Sequence, residues 1–135
     1  MNHLRRQFTL MATMAAAGVL AGCAGAFEPL PANTAFGQPP ANIEAPIRDY
    51  FESTLKDPES ARFRFSTPQK AHANWGLIDG GKIRWVGYLV RVDVNAKNSF
   101  GGYVGFKPYM ALFWGDERGL YRIVEGSSHP TIFYD

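Results

Sequence analysis

Residues 82–94, KIRWVGYLVRVDV, carry the clearest period of two in the chain. Val86, Tyr88, Val90, Val92 and Val94 fall on one side of an extended strand. Ile83, Trp85, Leu89, Arg91 and Asp93 fall on the other. One side is apolar throughout. The other turns charged at Arg91 and Asp93, so its far end is expected to meet water. Upstream, Asp79-Gly80-Gly81 is a tight-turn signal between extended segments. Residues 69–78 are ambiguous between strand and loop, while Phe63 and Phe65 alternate with Arg62 and Arg64 as in a half-exposed strand.

Downstream, an aromatic strand continues through Met110, Leu112 and Trp114. Asp116-Glu117-Arg118-Gly119 makes a hairpin into Leu120–Val124, and Thr131–Asp135 has the composition of an edge strand. Before these strands the period changes. Ile43, Ile47, Tyr50, Phe51 and Leu55 recur about every 3.6 residues, with Glu44, Arg48, Asp49, Glu52 and Lys56 between them. The helix begins near Asn42 or Ala45, tolerates Pro46 in its first turn, and ends at Asp57-Pro58, where Asp57 is placed to cap the next turn. The expected fold is therefore α+β, with one N-terminal helix packed on an antiparallel meander of about four strands.

The N-terminal 41 residues differ in kind. MNHLRRQFTLMATMAAAGVLAGCAGA opens with Arg5 and Arg6, runs through an apolar stretch from Phe8 to Leu20, and reaches small residues around Cys23. About a dozen apolar residues are too few for a permanent bilayer span, which needs about 20. The order of charge, apolar run and small residues is that of a secretory signal. Residues 24–41 then hold Pro29, Pro31, Pro39 and Pro40 with one charge, the composition of a linker. The expected division is a signal over 1–22, a proline-rich tether over 23–41 and one domain over 42–135.

Leu20-Ala21-Gly22-Cys23 resembles the lipobox of bacterial lipoproteins. The resemblance implies cleavage before Cys23, a diacylglycerol on its thiol and an acylated amine, which together give stable membrane anchoring. Ala24, where inner-membrane retention signals carry Asp, tilts the implied address toward the outer membrane, facing the periplasm. Arg5-Arg6-Gln7-Phe8 also resembles the core of a twin-arginine export signal, although Leu4, Thr9 and Leu10 depart from it, and both export routes stay open.

Removal of residues 1–22 changes the charge reading. Lys plus Arg falls from 14 to 12, against 12 acidic residues, so the 113-residue remainder is neutral in side-chain charge and gives nucleic-acid binding no support. Cys23 is the single cysteine, so a disulfide within the domain is excluded and stability must come from packing, to which the 14% of aromatic residues contribute.

Few residues suggest chemistry. His72 and His129 lie far apart without ligand spacing, so no metal is expected. Ser127-Ser128-His129 lacks a nucleophile elbow, and no enzyme activity is expected. The glycines of Asn95–Phe106 are not followed by Gly-Lys-Ser/Thr, so neither a phosphate loop nor any cofactor is expected. That segment has two readings. One is a wide hairpin with a glycine bulge; the other is an exposed rim of Asn95, Lys97, Asn98, Ser99, Phe100 and Tyr103 that contacts a partner. Asp57-Pro58-Glu59-Ser60-Ala61 together with Val94–Gly105 resembles a group of short exported bacterial proteins and lipoproteins over about residues 45–125. That resemblance implies domain limits and no chemistry. The expected function is a non-enzymatic binding or structural role at the envelope, with a protein or peptidoglycan partner. Inhibition of a cell-wall hydrolase such as lysozyme and assistance in outer-membrane assembly are the alternatives.

Overall fold

The computed structural model describes residues 25–134. One helix, α1 (Glu44–Thr54), precedes six strands: β1 (Arg62–Phe65), β2 (Gln69–Asn74), β3 (Ile83–Asn95), β4 (Lys107–Phe113), β5 (Leu120–Glu125) and β6 (Ile132–Tyr134). All pairings are antiparallel. The order is β5-β4-β3-β2-β6, with β1 also on β3. The α+β class is as expected, and the sheet has six strands rather than about four.

The extra strands follow from how β3 is used. At 13 residues it exceeds any one neighbour, so β2 covers Ile83–Leu89 and β1 covers Val92–Asn95 on the same edge. Pro68, which cannot donate to a ladder, lies in the break between them. Ser66 bridges that break: its N–H donates to the Arg91 carbonyl at 2.9 Å, and its Oγ accepts the Arg91 N–H at 2.9 Å. β2, with the sequence QKAHAN, has little strand propensity of its own. It pairs on both sides, and Ala71 and Ala73 are buried in the cluster that holds Trp85. Tertiary pairing overrides propensity there.

Each face of β3 buries its apolar residues differently. Tyr88, Val90, Val92 and Val94 lie under Ile47 and Phe51 of α1, with Ala111 and Phe113 of β4 beside them. The helix stops at Thr54, earlier than expected, because Leu55 turns extended (φ −81°, ψ 150°). The Asp57 carboxylate then caps the following turn, accepting from the Ser60 N–H at 3.3 Å as its position before Pro58 suggested.

Among the described residues no helix covers the opposite face, yet Trp85, Leu89, Met110 and Leu112 are at most 1% exposed. Chain length explains their burial. Residues 126–131 join β5 to β6, the two edges of the sheet. In a flat sheet four strand spacings would separate those edges by about 19 Å. The register also sets Glu125 level with Val92 and Ile132 level with Trp85, seven residues apart along β3, or about 23 Å. The diagonal would be about 30 Å, whereas the seven steps from Glu125 to Ile132 reach at most about 25 Å. The sheet must therefore coil, and in coiling it wraps this face around its own side chains. Trp85 stacks on Tyr121 with ring centres 5.9 Å apart, and Trp114 meets both rings edge-on. Gly87 makes room first for the Phe113 carbonyl of β4, which a Cβ there would strike, and then for the indole, 2.9 Å away at Trp85 Cζ2.

The proline-rich segment differs from the free tether expected. Glu28 donates its N–H to the Gly81 carbonyl at 2.9 Å, and its carboxylate accepts from the Ile83 N–H at 2.9 Å. The buried Asn74 amide donates to the carbonyls of Glu28 (2.9 Å) and Gly81 (2.7 Å). Further on, Tyr88 Oη donates to the Gly37 carbonyl at 2.7 Å. Gln38 and Asp116 exchange two bonds, at 2.8 Å and 3.0 Å. That clamp steadies the β4–β5 turn, where Asp116 and Glu117 take left-handed angles (φ 55° and 56°). Phe27 and Phe36 dock on Phe133 and Tyr88. The prolines keep the segment extended, and single contacts fix it along the sheet.

Candidate functional site

The two sequence motifs that stood out, Asp57–Ala61 and Val94–Gly105, form one structure. The Lys97 N–H donates to Ser60 Oγ at 3.0 Å, and Tyr103 Oη donates to the Ser60 carbonyl at 3.1 Å. Lys56, on the same turn, donates to Ser99 Oγ at 2.9 Å. The capped turn after α1 thus supports the loop that leaves β3.

Within that loop the expected partner-binding residues divide. Asn98 Oδ1 accepts the N–H groups of Phe100 (3.0 Å) and Gly102 (3.1 Å), while Asn98 N–H donates to the Gly102 carbonyl at 2.8 Å. Asn95 Oδ1 accepts the Gly105 N–H at 3.1 Å. Both asparagines spend their side-chain oxygens on holding the loop, with Lys97 and Tyr103 paired across it. Gly101 and Gly105 take positive φ angles of 80° and 95°, which the turn requires. The segment is a wide hairpin between β3 and β4 that leaves part of the rim exposed. Phe100 is 96% exposed at the tip. Tyr103 lies under the Arg62 guanidinium at 4.4 Å, and Phe106 under that of Arg64 at 3.8 Å.

Between the end of α1, the loop and the start of β4 runs a groove of about 320 Å3. Lys56, Lys97 and Lys107 line it together with Thr54, Asn98, Ser99 and Tyr109, and among the described residues no carboxylate lines it. Three lysines from three separate elements thus meet at one groove. Lys56 and Lys107 escape sequence reasoning, because each reads as an ordinary solvated charge and only the fold brings them beside Lys97. At the groove's edge, burial raises the Tyr109 hydroxyl above its ordinary pKa of 10.0, with smaller contributions from Glu125 and Tyr50, so it stays a neutral donor.

The remaining candidates are scattered. His129 Nδ1 accepts from the Thr131 N–H at 3.3 Å, and His72 stacks on Phe133 with ring centres 5.0 Å apart. Among the described residues no group of three or more His, Cys, Asp or Glu is placed to hold a metal ion. No helix among the described residues is long and apolar enough to cross a membrane. Cys23 and the segment 1–22 lie outside the described residues. No family model, curated protein or solved structure matches the chain.

Proposed function

We propose that this chain is an envelope lipoprotein anchored through Cys23, probing for a carboxylate-bearing envelope partner with the Asn95–Phe106 loop and its lysine groove. The role is binding and not catalysis. The observation that carries it is the convergence of Lys56, Lys97 and Lys107 on one groove without a lining carboxylate, beside the exposed Phe100. A cationic groove steers acidic groups toward it and holds them by charge-assisted hydrogen bonds, and an exposed aromatic next to it supplies the apolar anchor typical of interface hot spots. The anchor rests on Leu20–Cys23, and its position suits the site. Gly25 lies beside Leu77, before β3, whereas the loop follows β3. The twelve residue steps of β3, at most about 3.3 Å each, separate its two ends by up to about 40 Å, so the loop would face away from the lipid.

A photocrosslinking residue at position 100 in growing cells should yield a discrete adduct with one envelope component. Replacing Lys56, Lys97 and Lys107 by Glu should abolish that adduct while the protein still melts as a folded domain. An unchanged adduct would overturn the groove as the site. For the anchor, Cys23→Ser should stop processing and release the protein from the membrane fraction; retention there would overturn it.

A further inference from the structure

We propose that the loop joining β2 to β3 is a membrane-contact tip, with Trp75, Leu77 and Ile78 entering the headgroup–acyl boundary of the bilayer that holds Cys23. This rests on the lipid anchor proposed above. Trp75, Leu77 and Ile78 are 48%, 46% and 102% exposed, three large apolar side chains within four residues. The loop that carries them is already shaped. The Trp75 N–H donates to the Lys82 carbonyl at 2.8 Å, Asp79 and Gly81 both donate to the Gly76 carbonyl, and Gly80 closes the turn in the left-handed region at φ 89°. Such a tip presents its side chains without further ordering, which lowers the cost of inserting them.

The occupant is set by where the chain enters. A Cβ on Gly25 would lie 3.8 Å from Leu77 Cβ, and one on Gly81 would lie 2.8 Å from the Ala26 carbonyl. The N-terminal segment therefore reaches the domain at this loop. Cys23 is two residues before Gly25, a reach of at most about 7 Å. An acylated Cys23 has its chains in the bilayer, so Leu77 and its neighbours stand within headgroup depth of the hydrocarbon. The composition fits that depth. Tryptophan with flanking basic residues marks the membrane interface, and the Arg84 guanidinium lies 5.2 Å from the Trp75 ring centre, with Lys82 exposed beside it. Asp79 and Glu28 equal those two cations in number at this end of the domain, so apolar contact and not anionic lipid supplies the attraction.

The test uses the protein extracted from membranes in detergent and reconstituted into phosphatidylcholine vesicles, with or without bromine on the acyl chains. Bromine quenches only tryptophans at the boundary. Emission should fall in brominated vesicles, and Trp75→Phe should remove most of that fall, because Trp85 is 1% exposed and Trp114 lies within the coiled face. Leu77→Asp with Ile78→Asp should abolish the quenching of Trp75 with an unchanged melt. Adding phosphatidylglycerol should leave the quenching within about a tenth of its value. Equal quenching in wild type and Trp75→Phe, or none in either, would overturn the tip. Intact mass separates this from failure of the anchor. If Cys23 carries no acyl chains, the same protein is coupled through that single thiol to maleimide-bearing lipid, and the quenching then judges the tip alone.

Discussion

The two ends of β3 carry loops of opposite construction. The one before it, residues 75–82, is closed by its own backbone bonds and also tied to the N-terminal segment, through the half-buried and buried bonds of Asn74 and the exposed bond from the Ile83 N–H to the Glu28 carboxylate. The one after it, residues 96–106, is held by Asn95 and Asn98 from within and by the Ser60 turn from the side, with most of its residues exposed. A buried polar group pays heavily when its partner is lost, whereas an exposed one exchanges it for solvent. The first end should therefore behave as part of the core, and the second as a rigid attachment that the core barely notices.

The sharpest way to break that contrast is Asn74. Its side chain is wholly buried and donates to two backbone carbonyls, those of Glu28 and Gly81. Asn74→Ala leaves the Glu28 carbonyl without that donor and opens a small cavity, at a cost of about 3 kcal/mol. The melting temperature should drop by about 12 °C, and protease cleavage within residues 28–38 should rise. A loss under about 1 kcal/mol would place the N-terminal segment outside the cooperative unit.

What the sequence disclosed follows the same division between pattern and single contact. The alternation of β3, the helical period through Ile47 and Phe51, the Asp57 cap and the edge strand near Thr131 all express repeating or capping chemistry, and each is present in the fold. β2 was obscure because Ala71 and Ala73 are small and their partner Trp85 lies on another strand. The docking of residues 27–38 was hidden for a related reason: it depends on isolated bonds from Glu28, Gly37 and Gln38, which leave no period. At the candidate site the loop was legible from its glycines and asparagines. The groove was not, since Lys56 and Lys107 join Lys97 only through tertiary placement.

Ser60 tests the other end. Its Oγ accepts the Lys97 N–H at 3.0 Å and donates to the Asp57 carbonyl at 2.8 Å, in a half-buried site. Ser60→Ala should cost about 1–1.5 kcal/mol, and amide exchange should quicken at Lys97 while the core strands keep their protection. Asn98→Ala, whose lost bonds to Phe100 and Gly102 lie in water, should cost about 0.5–1 kcal/mol. If either matched Asn74→Ala, the loop would belong to the core and the contrast would fail.

A smaller effect comes with pH. Tyr109 has its folded pKa raised above 10.0, first by burial and then by Glu125. The unfolded chain gives up this proton first as the pH climbs, so the contribution is complete below about pH 10 and is lost as pH rises through the folded value. Tyr109→Phe should therefore flatten the decline of melting temperature above about pH 10 and leave neutral pH untouched. An identical alkaline decline in both proteins would remove Tyr109 from that linkage.

The least effect on stability is expected where the two ends agree. Phe100 and Ile78 are 96% and 102% exposed, one at each end of β3. Neither side chain buries appreciable surface against the domain, so Phe100→Ala and Ile78→Ala should each move stability by less than about 0.5 kcal/mol. The functional readouts should separate them completely: with the photocrosslinking residue moved to position 99 of the groove, Phe100→Ala weakens the envelope crosslink and leaves bromolipid quenching intact, whereas Ile78→Ala does the reverse. A single exposed apolar side chain needs no explanation, whereas a contiguous exposed patch marks a contact surface. If one substitution impaired both readouts, the two loops would serve one surface, and the separation of a lipid-facing end from a partner-facing end along β3 would be lost.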